Sequence, residues 1–234
     1  MEQTRIPTPA TAPRPRSDHS QLTVRKLGRA DYTPTLQAMQ QLTTERNDDT
    51  PDEIWLLEHP PVYTLGLAGK DEHLPRIDSG IPVVRIDRGG QITYHGPGQV
   101  VVYLLLDMKR RGLSVRPLVR LMEQAVIDLL AAHNVAAVYR ADAPGVYVGA
   151  AKIAALGLRI RRGCCYHGLA LNVAMDLGPF CDINPCGYEG LDVTQTRDLG
   201  IADTPDAIGG QLIEHLTRLL AATAPPTRQA HQDD

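Results

Sequence analysis

A chain of 234 residues is long enough for one domain with its own core and short for two. With 43% apolar and 22% charged residues it has globular proportions, and 24 basic against 27 acidic residues, formally −3, exclude the broadly basic surface of a general nucleic-acid binder. No apolar run reaches the length of a membrane span, four cysteines are too few for a disulfide framework, and the expected setting is the cytoplasm.

Residues 1–20, rich in Pro, Thr and Arg, read as a flexible tail. Residues 21–222 read as a single folded domain and 223–234 as a second tail. Helical periodicity is weak over Tyr32 to Arg46, where Asn-Asp-Asp-Thr-Pro ends it. It is clear over Ser114 to His133, with Leu118, Met122, Val126 and Leu129 on one face behind a Ser cap. A third helix, Thr204 to Ala222, opens with the cap-then-proline pattern Thr-Pro-Asp. Strand-like runs occupy Ile54–Glu58, Val62–Leu65, Val83–Asp87, Val100–Leu106, Val135–Arg140, Gly145–Val148, Lys152–Ile160 and His167–Val173. Strands dominate the middle without strict βαβ alternation. The expected class is therefore α/β in the α+β sense, a mixed sheet with helices packed on it.

Asp87 to Gln99 packs four glycines and a proline beside a strand. That composition reads first as a long hairpin turn, although it also lets a backbone approach a ligand closely. It fits neither a P-loop nor a dinucleotide fingerprint. Lys152 stands among small and apolar residues in Gly149-Ala-Ala-Lys-Ile-Ala-Ala-Leu-Gly157. It is either a strand-end lysine whose stem reaches water or a buried amine beside something that needs a base. Asn184-Pro-Cys-Gly-Tyr188 holds Cys186 in a tight turn, and a thiol there becomes nucleophilic if a cation or base favours its thiolate. Lys152 and His167 are the candidates for that neighbour. Cys164 and Cys165, adjacent and diverging in a strand, suit packing better than zinc chelation with Cys181 and Cys186, and no metal is expected.

Arg88-Gly-Gly-Gln-Ile-Thr-Tyr-His-Gly-Pro-Gly-Gln99, Ala143-Pro-Gly-Val-Tyr-Val-Gly149, Lys152-Ile153, Leu156-Gly-Leu-Arg-Ile160, His167-Gly-Leu-Ala-Leu-Asn172 and Asn184-Pro-Cys-Gly-Tyr188 occur in that order. Together they resemble the lipoyl(octanoyl) transferase family over roughly residues 21 to 222. The resemblance implies a biotin and lipoate protein ligase-like fold around an acyl pocket. It also implies a reaction, the first step of endogenous protein lipoylation. Octanoyl (or lipoyl) leaves the thioester of acyl carrier protein, rests on the enzyme cysteine, and ends on a lysine of a lipoyl domain. The implied acceptors are the E2 subunits of 2-oxoacid dehydrogenases and the glycine cleavage H protein. No dissociable cofactor, nucleic acid or membrane is implied, and a monomer is expected. Cys186 and Lys152 match the family's catalytic dyad.

The family's acyl-contact segments fall on Arg88, Gly89, Gly90, Gln91, Ile92, Thr93, Tyr94 and His95, on Ala155, Leu156 and Gly157, and on Gly168, Leu169 and Ala170. Their small residues would leave a narrow channel open. Ala155 replaces the Ser often found there, and Cys165-Tyr166 replaces Ser-Phe, which puts a hydroxyl contact near the thioester in doubt. An acidic carrier protein asks for a basic surface, offered by Lys109, Arg110, Arg111 and Arg116 or by Arg159, Arg161 and Arg162. The rival within the fold is an ATP-dependent lipoate or biotin ligase, which would not need Cys186. A non-catalytic metal or redox protein built on the four thiols is the rival outside it.

Overall fold

The computed structural model describes residues 22–141, 143–183 and 192–223. The elements run β1 (Leu22–Arg29), α1 (Tyr32–Glu45), β2 (Asp52–Glu58), β3 (Val62–Leu65), β4 (Val83–Arg85), β5 (Ile92–His95), β6 (Gln99–Asp107), α2 (Val115–Ala132), β7 (Val138–Tyr139), β8 (Val146–Val148), β9 (Ala151–Arg161), β10 (Cys164–Asn172) and α3 (Pro205–Ala222). Seven strands form a mixed sheet in the order β1-β2-β6-β10-β9-β8-β7, and β4-β3-β5 form a second. In the larger sheet β1 pairs parallel to β2 and the other neighbours pair antiparallel. This is the mixed α/β architecture the sequence implied.

The two faces of the large sheet are covered differently. Helices α2 and α3 pack on each other and on one face, where Leu118, Met122, Val126 and Leu129 meet Leu212 and Leu216 over Val102, Leu104 and Leu106. On the other face α1 places Tyr32, Leu36 and Met39 against Trp55, Val101, Tyr103, Leu105, Tyr166 and Ala170. The α3 start behaves as its pattern predicts, with Pro205 in the first turn and Thr204 Oγ1 accepting from the Ala207 amide at 3.3 Å. Ser114 holds the cap position of α2, but its hydroxyl accepts no helix amide.

Two strands escaped the sequence reading. β1 is largely exposed and mixes basic with apolar residues, so it has no face to read until parallel pairing with β2 recruits it. Ile92–His95, hidden inside the glycine-rich segment, is a strand that pairs with β3 rather than part of a hairpin turn. In the other direction, Val135–Arg140 shrinks to the exposed pair Val138–Tyr139 at a sheet edge.

In the first basic cluster Lys109 and Arg116 are exposed, but Arg110 and Arg111 are taken up by a buried ion group. Asp52 is fully buried at the start of β2 and accepts from Arg46 at 2.9 Å, Arg110 at 2.7 Å and Arg111 at 2.5 Å, and from the Asp107 amide at 2.8 Å. Arg110 and Arg111 therefore tie the chain after β6 to β2 and do not form a free docking face. An uncompensated buried charge is costly. Asp52→Ala, which strands three guanidinium groups, is expected to lower unfolding stability by about 3–5 kcal/mol in urea titration.

Candidate active site

The site is built on β6, β10 and β9. Register sets Val101, Ala170 and Ala155 in one cross-strand row and Tyr103, Gly168 and Gly157 in the next. Rows on one face of a sheet repeat every two residues, about 6.7 Å. Because these rows carry small side chains on β9 and β10, the sheet face sinks there, and a cavity of about 70 Å³ lies above it. Gly168 is small for a second reason. A Cβ at that position would stand 2.1 Å from the Val102 carbonyl oxygen, so a side chain would push β10 away from β6.

The cavity brings together most of the residues that the sequence singled out. Lys152, Ala155, Leu156, Gly157, Gly168, Leu169 and Ala170 line it from β9 and β10, and Arg88, Gly90, Gln91, Ile92, Thr93 and His95 from the segment ending in β5. Two singled-out residues are not among its lining. Tyr94 points into a separate cluster with Tyr63 and Phe180, and the Gly89 amide bonds the Leu158 carbonyl at 3.0 Å. Tyr32, Val101, Tyr103, Pro144 and His167 complete the wall. Of these the sequence pointed to His167 and, within its motif, Pro144; Tyr32, Val101 and Tyr103 reach the cavity through packing between elements far apart in the chain. Cys186 and its turn lie outside the described residues.

Lys152 stands at the start of β9 but is buried, 4% exposed, and its stem does not reach for water. Its Nζ donates to the Pro144 carbonyl at 3.3 Å and stands 5.2 Å from the centre of the buried Tyr147 ring. The turn above it depends on glycine: Gly145 has φ +146°, and a Cβ there would stand 2.9 Å from Lys152 Cε. Buried Glu123 of α2 accepts from the Gly145 amide at 3.2 Å and holds that turn down. On its other side the Lys152 amide donates to Asp192 O at 2.8 Å, and the Thr194 amide donates to Lys152 O at 3.0 Å.

Along β9 the cavity runs from Lys152 toward Leu158, the register partner of His167. His167 adopts φ +63° inside a strand, a strained backbone that its surroundings must maintain. Its Nε2 meets Asp87 at 3.1 Å, and Asp87 also accepts from Tyr166 and from Gln40. Burial works to raise the Asp87 carboxyl, but hydrogen bonds from His167, Tyr166 and Gln40 bring it down to about 2. Burial lowers His167 despite that carboxylate, so a neutral imidazole donates to an anion. Tyr166 is pushed up to about 12 by burial and by Asp87.

His59 and His95 are neutral as well. Burial takes His59 down to about 4 and His95 down to about 3. His59 bridges the Ala30 carbonyl at 2.6 Å and the Tyr103 hydroxyl at 2.7 Å. His95 Nδ1 meets Gln99 Oε1 at 2.7 Å. The thiols of the Cys164-Cys165 pair are inert by comparison: Cys165 is pushed up to about 12 by burial, and its Sγ donates to Leu104 O at 3.3 Å.

These shifts set the acid limb of stability. A histidine held down in the fold takes up protons first in the unfolded chain, so stability is full above about pH 6.5 and falls as pH drops toward the folded value, by about 1.4 kcal/mol per pH unit for each group. Asp87 acts later, losing its contribution only as pH falls from about 4 through 2. Urea midpoints are expected to fall between pH 7 and pH 5, with a shallower slope in His59→Gln.

The sequence matches the family of the lipoyl protein ligase A/B catalytic domain over residues 31–217. An octanoyltransferase of Azoarcus sp. (strain BH72) is 63% identical over 207 residues, covering 88% of this chain and 91% of that one. Among solved structures, lipoate-protein ligase A bound with ATP superposes with a TM-score of 0.69 at 16% identity, over 85% of this chain and 86% of that one. A biotin protein ligase from Aquifex aeolicus, in complex with biotin and ATP, reaches 0.56 at 12% identity, over 86% of this chain and 72% of that one. At these identities the two structures speak for the fold alone. With its sequence relatives and this architecture, the chain belongs to the octanoyltransferases, acyltransferase enzymes within the lipoyl protein ligase A/B catalytic-domain family.

Proposed function

We propose that this enzyme takes octanoyl, or lipoyl, from acyl carrier protein, holds it as a thioester on Cys186, and passes it to a lysine of a lipoyl domain. The reading places the enzyme in the cytoplasm as a monomer, with E2 subunits and the glycine cleavage H protein as acceptors. The observation that supports it most is Lys152: a buried amine at one end of a cavity floored by small residues. Its backbone is bonded on both sides to Asp192–Thr194, which begins six residues after Cys186.

In the first half, the Cys186 thiolate attacks the carbonyl carbon of the donor thioester. The new C–S bond replaces the old one, and the carrier thiolate takes a proton from the Lys152 ammonium. The exchange is nearly isoenergetic, so positioning and stabilisation of the tetrahedral oxyanion are the enzyme's main contributions. In the second half, the acceptor amine attacks, its proton passes to neutral Lys152, and the departing Cys186 sulfur leaves as the C–N bond is completed. Proton uptake and release balance over the cycle.

The octanoyl chain would lie along the rows Val101, Ala170, Ala155 and Tyr103, Gly168, Gly157. Each buried methylene contributes about 0.8 kcal/mol, and discrimination of roughly 1–3 kcal/mol per methylene makes the length preference graded. For the carrier, Arg161 and Arg162 at the β9–β10 turn are exposed, and Arg159 is half-buried two residues beyond Gly157. This second cluster is the docking surface on this reading, since Arg110 and Arg111 are committed to Asp52.

Three measurements test these assignments. Intact-protein mass spectrometry after incubation with octanoyl-acyl carrier protein should show one hydroxylamine-labile octanoyl adduct on wild type and none on Cys186→Ser. Lys152→Ala should slow acylation by at least about 100-fold. An active enzyme with no adduct would favour direct transfer. Reversing Arg161 and Arg162 to Glu should lower kcat/KM for the carrier-bound donor about 10-fold at low salt, with the gap narrowing as salt rises. A short-chain thioester lacking the carrier protein should not register the change.

A further inference from the structure

Gln99 and Asn172 close two of the motifs described above, yet neither lines the cavity or enters the chemistry. Both are buried, at 2% and 4% exposure, in a place where an apolar residue would pack more cheaply. Their hydrogen bonds run in one line. Asn172 Nδ2 donates to Thr194 O at 3.0 Å, Gln99 Nε2 donates to Asn172 Oδ1 at 3.0 Å, and Gln99 Oε1 faces His95 Nδ1 at 2.7 Å. Gln99 Nε2 is also held by Tyr94 O at 3.2 Å. Thr194 in turn gives its amide to Lys152 O.

The direction of this line is forced from one end. A backbone carbonyl only accepts, so Thr194 O requires the amide nitrogen of Asn172. Asn172 then offers oxygen to Gln99, which turns its nitrogen inward and its oxygen toward His95. His95, neutral by burial, must carry its proton on Nδ1, which leaves Nε2 as the acceptor, 3.4 Å from Thr64 Oγ1. One carbonyl beside Lys152 thereby sets the tautomer of a histidine in the cavity wall.

We propose that Asn172 and Gln99 are positioning residues for the transfer reaction: through Thr194 they lock the chain segment paired with Lys152, and at their other end they fix His95 with its acceptor nitrogen unprotonated. The inference rests on the role proposed for Lys152. It adds that the lysine's placement and the cavity wall are set by a single hydrogen-bonded line, so that neither can relax alone.

Asn172→Asp tests it directly. The ionised carboxylate cannot donate to Thr194 O, whereas the protonated form can. Burial raises the introduced carboxyl, so octanoyl transfer by Asn172→Asp is expected to be about 30-fold slower than wild type at about pH 8, with the variant-to-wild-type ratio rising as pH is lowered toward about 6. Gln99→Glu breaks the same line one step earlier and serves alone if the first variant fails to fold. In the neutral pair Asn172→Ala and Gln99→Ala, which adds no charge, the double variant should be no slower than the slower single one, because a broken line cannot be broken twice. A folded Asn172→Asp enzyme with wild-type rates at pH 8, a loss independent of pH, or additive losses would overturn the proposal. The Cys186 adduct is read separately. If wild type forms none, the thioester reading fails whatever these variants do, and an adduct with unimpaired Asn172→Asp turnover removes only the positioning line.

Discussion

The close antiparallel contact of β10 with β6 at Gly168 is the constraint on which the rest of the site depends. With no side chain between the Gly168 backbone and the Val102 carbonyl, the two strands pair closely, and β9 follows β10 in register. That register gathers Ala155, Gly157, Gly168 and Ala170 into one shallow floor, with Val101 and Tyr103 beside them. A cavity forms because small residues from two strands, β9 and β10, coincide, and because β5 and α1 supply walls without filling the space. One-residue slippage of β10 would turn Leu169 and Leu171 onto that face and remove the cavity.

Polar groups around this floor are kept uncharged or paired. His59, His95 and His167 are all lowered by burial, and Asp87, the anion bonded to His167 of the wall, is occupied by His167, Tyr166 and Gln40. The wall therefore presents neutral imidazoles and tyrosines, and the cations Arg88 and Lys152 in it are hydrogen-bonded, to Thr64 and to the Pro144 carbonyl. A buried ion cluster, Asp52 with Arg46, Arg110 and Arg111, sits at the start of β2 and the end of β6. Its work is to join elements, not to bind the acyl group.

Motif residues were legible because their chemistry is unusual at the sequence level. A lysine among small residues and a histidine followed by glycine stand out in any strand, and both line the cavity. Tyr32, at the first turn of a weak helix, and Tyr103, inside an apolar strand, carry no such mark; α1 packing and the β6 register bring them in. Arg110 and Arg111 show the converse. As letters they form a basic patch, but the partner that cancels them, Asp52, lies far back in the chain and becomes visible only when β2 pairs with β6. Ile92–His95 was obscured by the glycines on either side, and β1 by its exposure on both faces.

The sequence by itself determined the fold class, the three helices, most strands and the family resemblance, because hydrophobic period, caps and short ordered motifs are local properties of the chain. Tertiary structure alone decided which small residues share a floor, that Lys152 is buried beneath Pro144 and beside Thr194, and that Arg110 and Arg111 face inward. It also decided how Gln99 and Asn172 join His95 to the strand of Lys152, for register and burial arise only when segments distant in sequence are brought within a hydrogen bond of one another.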